Sequence, residues 1–210
     1  MARYLGSVCR ICRREGTKLF LKGKKCSTFK CALEKRNIVP GQHGPTKKNK
    51  KLSEYGTQLR EKQKTKRQAG LLENQFKRYF EKAEKKQGIT GENLLIFLER
   101  RLDNVVYKLG FVSSKLLSRQ LIVHRHFMIN GRVLDRPSYL VKEGDVITVR
   151  EKSQEKQIFK LRKEEKEQKT LSGWLEFNAA NLEGKILRLP LRQDIDAPIN
   201  EQLIVELYSK

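Results

Sequence analysis

The hydrophobic positions change their spacing along the chain. Up to about residue 51 they are sparse, with Val8, Ile11, Leu19, Phe20, Leu21, Phe29 and Leu33 set among Gly and Lys. From Ser53, a residue type that caps helix starts, the pattern predicts a helix to about Ala69 with few apolar residues, and Gly70 breaks it. Residues 71–86 then place Leu72, Phe76, Tyr79, Phe80 and Ala83 on one helix face, at spacings of three and four. Thr90 caps a further helix bearing Leu94, Phe97, Leu98 and Leu102.

Between Leu102 and Arg150 the pattern is densest. Val105, Val106 and Leu109, then Leu116, Leu117, Leu121 and Ile122, predict two short helices with one face each to bury. Gly110 ends the first, because Gly enters the left-handed C-terminal position at no steric cost. Asn130-Gly131 between apolar runs predicts a hairpin. Residues 142–145 make a second turn, and Val146, Ile147 and Val149 a strand. Residues 153–169 read as an exposed helix laced with ion pairs, despite Ile158, Phe159 and Leu161. Segments 174–177 and 186–189 look like short strands. Asn200 caps a last helix carrying Leu203, Ile204 and Leu207.

The chain has 210 residues, which suits two modest domains better than one large core. Charge sharpens this division. Charged residues make up 33% of the chain and its net charge is +22. Residues 1–70 hold 20 Lys and Arg against 4 Asp and Glu, a net of +16, while residues 71–210 hold 26 against 20, a net of +6. Such asymmetry implies a polyanionic partner gripped mostly by the first third. A membrane surface is excluded as that polyanion: no apolar run approaches the roughly 18 residues of a spanning helix, and no signal-peptide core follows Met1. The expectation is a cytosolic protein whose cysteines stay reduced.

Four cysteines change the picture of residues 1–51. Cys9 and Cys12 form a Cys-x-x-Cys pair, and Cys26 and Cys31 follow, with Lys18, Lys22, Lys24 and Lys25 between the pairs. Two thiolate pairs at this spacing suit one tetrahedral ion, and the segment has too little core to fold unaided. Zn²⁺ is expected, with an iron–sulfur cluster as the alternative. A thioredoxin-type pair would need a βαβ pattern that is missing. His43, in the linker 39–45, is expected to be an exposed loop histidine rather than a ligand. Lys47, Lys48, Lys50 and Lys51 follow this linker, and the helix beyond carries Arg60, Lys62, Lys64, Lys66 and Arg67, so it is expected to lie against phosphates rather than in a core.

The motifs of 101–145 resemble a known RNA-binding module: Arg101-Leu102-Asp103-Asn104-Val105-Val106-Tyr107, Gly110-Phe111, Ser114, Arg119-Gln120-Leu121, His124, His126, Asn130-Gly131, Pro137-Ser138-Tyr139 and Gly144-Asp145. The module departs from that family at Arg125, where Gly is common, and at Leu116 and Leu117, where smaller or polar residues are usual. Met1-Ala2-Arg3-Tyr4, Arg13-Arg14-Glu15-Gly16, the four cysteines, Pro40-Gly41-Gln42-His43-Gly44, residues 59–64, Gln75-Phe76 and residues 200–208 extend the match over nearly the whole chain. The chain thus resembles the bacterial small-subunit ribosomal protein four family in its cysteine-containing, zinc-binding form.

The resemblance implies an α+β fold: a metal-stapled N-terminal knuckle, a helical domain, and an inserted small α/β RNA-binding module of two helices on a short antiparallel sheet. The expected boundaries are 1–51 for the knuckle and basic extension, 52–98 for the helical domain completed by 175–210, 99–165 for the module, and 166–210 for the C-terminal segment. The resemblance also implies a structural, non-enzymatic role as a primary 16S rRNA binder in the small subunit. Assembly nucleation, contact with protein five, a place near mRNA at the entry channel and an influence on accuracy come with it.

Cations are the groups that meet phosphate, while folded RNA is read through shape and 2′-OH. The candidates are Arg3, Arg10, Arg13, Arg14, Lys22, Lys47, Lys48, Lys50, Lys51, Arg60, Lys62, Lys64 and Arg67, with Lys115, Arg119, His124, Arg125, His126 and Arg132 in the module. An RNA-modifying enzyme carrying the same module is the alternative, but the chain leaves no room for a catalytic domain and shows no nucleotide-binding Gly loop. A zinc-containing DNA regulator would want a recognition helix and dimer symmetry, and neither is evident.

Overall fold

A computed structural model describes residues 3–44, 52–164, 171–195 and 198–209. In chain order the elements are α1 (Val8–Glu15), α2 (Ala32–Lys35), α3 (Glu54–Gln68), α4 (Glu73–Glu84), α5 (Thr90–Glu99), α6 (Leu102–Lys108), α7 (Lys115–Val123), β1 (Phe127–Ile129), β2 (Arg132–Val133), β3 (Val146–Val149), α8 (Glu151–Gln154), α9 (Gln157–Glu164), β4 (Leu175–Asn178), β5 (Glu183–Ile186) and α10 (Glu201–Tyr208). The chain forms two compact units, 1–94 with 197–210, and 95–196.

The first unit is helical. Gly16, at φ +69°, ends α1. Between α1 and α2 the chain makes one 3-10 turn at Gly23–Ser27. Ser53 caps α3 as its residue type demands, its Oγ accepting from the Gly56 N–H at 3.2 Å. The predicted stripe of α4 is buried at Phe76, Tyr79, Phe80 and Ala83. Helix α10 packs along α3. Its ring of Tyr208 stacks on Phe80 at 4.3 Å. Asn200 precedes α10 where a cap is expected, but its side chain makes no capping bond. Its backbone N–H donates instead to Glu61 Oε1 at 3.0 Å.

The second unit packs helices on one antiparallel sheet of order β2-β1-β3-β5-β4. Asn130 and Gly131, at φ +49° and +76°, form the turn between β1 and β2. Its core gathers Val105, Val106, Leu109, Ile122, Phe127, Ile147 and Trp174 among others. Gly110 sits at φ +82°, a left-handed backbone that favours glycine.

Several expectations change. Leu102 opens α6 rather than continuing α5, because Arg101 is extended (φ −66°, ψ 135°) and bridges to Leu140. The polar run after Arg150 is not merely exposed: Phe159 is fully buried in the core. Residues 175–210 do not return together to the helical part. Strand β5 pairs onto β3, Ile147 lying opposite Gly184, and β4 pairs onto β5, so the short sheet of the module extends to five strands. Only the end of the chain, with α10, belongs to the first unit. Gly184 is the point of closest approach, since a Cβ there would come 2.5 Å from Leu109 Cδ1.

Candidate nucleic-acid interface

In the second unit, exposed cations collect where α7 gives way to the hairpin. His124 follows α7, and Arg125 after it takes φ +60°, so the left-handed backbone that suits Gly is kept by an arginine. Arg125 hydrogen-bonds Asp135 through Nε and Nη2 at 3.2 and 3.1 Å while two-thirds of its side chain stays exposed. That pair draws β2 and the segment after it, with exposed Arg132 and Arg136, toward the end of α7. An exposed ion pair of this kind contributes little and leaves the guanidinium able to exchange its partner. Arg136 escaped the sequence reading, although it stands beside Pro137 in the matched motif.

Other predicted module residues are not surface cations. Arg119 is buried, with Nη1 4.0 Å from Asp103 Oδ2. His126 is buried too, Nδ1 lying 2.9 Å from Ser153 Oγ and Nε2 3.1 Å from Lys156 Nζ. Burial and the nearby Lys156 charge lower its pKa, which favours the neutral ring. Lys115 is half-buried, its Nζ 5.9 Å from the centre of the Tyr107 ring, and burial lowers its pKa. These three are corrected from phosphate contacts to parts of the module's packing.

The centre of that packing is Arg101 with Asp103. Arg101 Nε and Nη2 donate to the two Asp103 oxygens at 3.0 and 2.5 Å. Ser118 Oγ donates to the Asp103 carbonyl at 2.6 Å, which fixes α7 on α6. Asp145 plays a similar part at the sheet, accepting from Asn130 Nδ2 at 2.9 Å and the Lys142 N–H at 2.8 Å.

In the first unit, α3 does not offer bare cations. Arg60 and Arg67 both converge on Glu15, whose side chain is almost fully enclosed. Lys62 and Lys66 each reach Glu73 at 2.6 Å. Lys64 reaches Glu61 at 3.0 Å and the Pro198 carbonyl at 2.7 Å. Burial would push Glu73 up, but hydrogen bonds from Lys62 and Lys66 outweigh it and hold the carboxyl at about 2. The Tyr208 phenol, which donates to Glu73 at 3.2 Å, is pushed up by burial and by that carboxylate. Helix α3 has low apolar content yet is half-buried, with Gln58 and Thr65 buried and its cations held by carboxylates of α1, α3 and α4.

Arg3, Arg10, Arg14 and Lys22 are exposed, whereas Arg13 is half-buried and lines a pocket with Arg10 and Arg36. Lys47, Lys48, Lys50 and Lys51 lie outside the described residues. His43 is exposed, as expected of a loop histidine.

The cysteines are free thiols, with Cys12, Cys26 and Cys31 buried and Cys9 half-buried. The Lys22 N–H donates to Cys26 Sγ at 3.3 Å. Burial raises the Cys12 pKa, a hydrogen bond from the Leu19 backbone opposes it, and Cys26, Cys9 and Cys31 are all near enough to raise it further. Thiols with backbone N–H groups aimed at two of the sulfurs are, by donor type, suited to a thiophilic ion. Among the described residues, however, no three His, Cys, Asp or Glu side chains stand at metal-binding geometry.

Comparison with known proteins adds two family matches and a set of relatives. Residues 3–99 match the ribosomal protein S4/S9 N-terminal domain, and residues 100–147 match the S4 domain. The chain is 60% identical over the full length of both proteins to small ribosomal subunit protein uS4A of Clostridium novyi (strain NT). It is 59% and 61% identical, again over all of each chain, to small ribosomal subunit protein uS4 of Acetivibrio thermocellus and of Caldicellulosiruptor bescii. No helix among the described residues is long and apolar enough to cross a membrane.

Proposed function

Since the chain belongs to the uS4 family of small ribosomal subunit proteins, we propose that it is a structural component of the small subunit that binds 16S rRNA directly. The observation that carries this is identity of about 60%, over all of each chain, to proteins of that name. The exposed cluster of His124, Arg125, Arg132 and Arg136 and the basic N-terminal third supply the phosphate contacts. Lys and Arg there release counterions from RNA, which gives affinity, while folded RNA is recognised by shape. Neighbouring subunit proteins, protein five among them, and mRNA at the entry channel are the further partners of this reading, as are roles in assembly and decoding accuracy.

The reading includes one structural Zn²⁺ held by Cys9, Cys12, Cys26 and Cys31. Its support is the spacing of the two thiol pairs in the sequence and the N–H groups of Leu19 and Lys22 directed at two of the sulfurs. When bound, the ion neutralises thiolate charge and ties α1 to α2; an iron–sulfur cluster would use the same donors.

Binding of the purified protein to 16S rRNA and to duplex DNA, across a salt series, tests the function. Affinity for the rRNA should exceed that for DNA at every salt, with log affinity falling linearly in log salt. Deleting residues 1–51 should flatten that slope and leave specific binding by the rest. Equal affinity for both nucleic acids would end the ribosomal reading.

A further inference from the structure

Helix α1 and the chain that leaves α2 border an open pocket of about 490 Å³, lined by Arg10, Arg13, Arg36, Ile38, Val39, Pro40 and Gly41. Arg10 and Arg13 are three residues apart on α1 and therefore share a face. Arg36 is the residue that ends α2, which packs on α1. The opposite wall is a turn that only glycine permits. Gly44 donates its N–H to the Gly41 carbonyl at 3.1 Å, and a Cβ on Gly44 would stand 1.8 Å from the Val39 carbonyl oxygen. Three arginines thus face an apolar wall, with no acidic residue among the described residues of the lining.

This arrangement differs from the rest of the unit. Arg60 and Arg67 are neutralised by Glu15. The Nε of Arg13 is buried and has no hydrogen-bond partner. A buried donor without an acceptor is rare in folded proteins, and here it belongs to a residue that lines the pocket, where a ligand oxygen can satisfy it. The missing ligand must offer anionic oxygens to several N–H donors at once and also an apolar or flat surface. A nucleotide whose base has left its stack offers both. The volume lies in the range of about 300–1,000 Å³ found for small-ligand sites, more than one phosphate would need.

We propose that this pocket seats one extruded nucleotide of the bound rRNA. Its phosphate lies on Arg10, Arg13 and Arg36, and its ribose or base lies along Ile38, Val39 and Pro40. The inference rests on the rRNA-binding reading and deepens it, from a diffuse basic surface to a built site that recognises an unpaired residue.

The test uses the full-length protein on 16S rRNA, with nucleotide-resolution chemical probing. Arg13→Gln and Arg36→Gln should each release one protected unpaired nucleotide, leave the rest of the footprint, and weaken binding roughly tenfold or more. Arg36 is exposed, so its variant tests the site without disturbing folding. Arg13→Lys keeps the charge but loses the planar fork, and should not restore protection. Unchanged reactivity in both Gln variants while rRNA binding persists overturns the proposal, and so does full rescue by Lys. Adenosine monophosphate titrated onto the protein alone is the second arm. Tight binding there, abolished by Arg13→Gln with an unaltered footprint, would assign the pocket to a free nucleotide and overturn it too. Failure of the unsubstituted protein to bind 16S rRNA at all would overturn the ribosomal reading along with this site, a result distinct from loss of one protected nucleotide.

Discussion

Arg101 and Asp103 hold each other through two hydrogen bonds, at 3.0 and 2.5 Å, with side chains only 2% and 8% exposed. The pair sits at the junction where α5 stops and α6 begins, and its carboxylate also lies beside Arg119. Breaking a buried pair from one side strands the other charge, which costs more than the pair itself contributes.

Asp103→Ala should therefore destabilise the second unit by about 3–5 kcal/mol. Ser118→Ala, which removes a single buried hydrogen bond, should cost about 1 kcal/mol. Denaturant titrations of both variants measure the difference. Equal, small effects would mean that the pair is solvated in solution.

Arg119 and Arg125 should behave oppositely. Arg119→Gln should lower the melting temperature, because Arg119 is buried near Asp103, and should leave rRNA affinity intact at matched folded fraction. Arg125→Gln and Arg132→Gln should weaken binding and leave melting unchanged, since both side chains are exposed. Melting curves and filter binding on the same preparations separate the two; a reversed pattern would exchange their roles.

Glu73 predicts an acid-sensitive step. Its folded pKa of about 2 lies below the ordinary 4.5, so the stability it lends is complete above about 4.5 and disappears as pH falls through about 2. The carboxyl is 44% exposed, and solvent screens part of the effect. Unfolding of the first unit, followed by Tyr208 fluorescence, should become easier across that window. Glu73→Gln should flatten the dependence, and a variant that keeps the full slope would assign it to another carboxylate.

If Cys9, Cys12, Cys26 and Cys31 hold the proposed ion, its removal should loosen the N-terminus alone. Structural zinc in small domains contributes about 10–16 kcal/mol at neutral pH, more than the few apolar residues of this segment can replace. A chelator should make the four thiols alkylatable and residues 1–35 protease-sensitive, while the melting of the second unit stays unchanged. Acidification should release the ion as protons compete for sulfur. Native mass spectrometry of zinc-free protein with a protected N-terminus would show that packing alone orders this segment.

Much of the architecture was legible in the spacing of apolar residues. The stripe of α4, the Ser53 cap, the Asn130-Gly131 turn and the strand at Val146–Val149 all follow from local rules that need no partner elsewhere. Long-range pairings were not legible. Arg119 reads like Arg125 until Asp103 is placed beside it, and the available signal was a carboxylate inside the apolar run of α6. The cations of α3 read as free until Glu15 and Glu73 arrive from other helices. Phe159, alone in a polar stretch, and strand β5 betray nothing by periodicity, because their burial is decided by a sheet assembled from distant segments.

The pairing of α10 with α3, sealed by Gln58 Nε2 on Glu206 at 3.0 Å across 148 positions of sequence, sets an order for biogenesis. A chain made from its N-terminus exposes α3 and α4 long before their cover exists. The strands of the sheet-bearing unit all lie before residue 187, so its folding needs nothing of α10. The helical unit cannot close until α10 is made. A chain cut before α10 would thus keep a sound second unit and leave the first one unlidded, a shape that cellular proteases can discriminate from the intact protein.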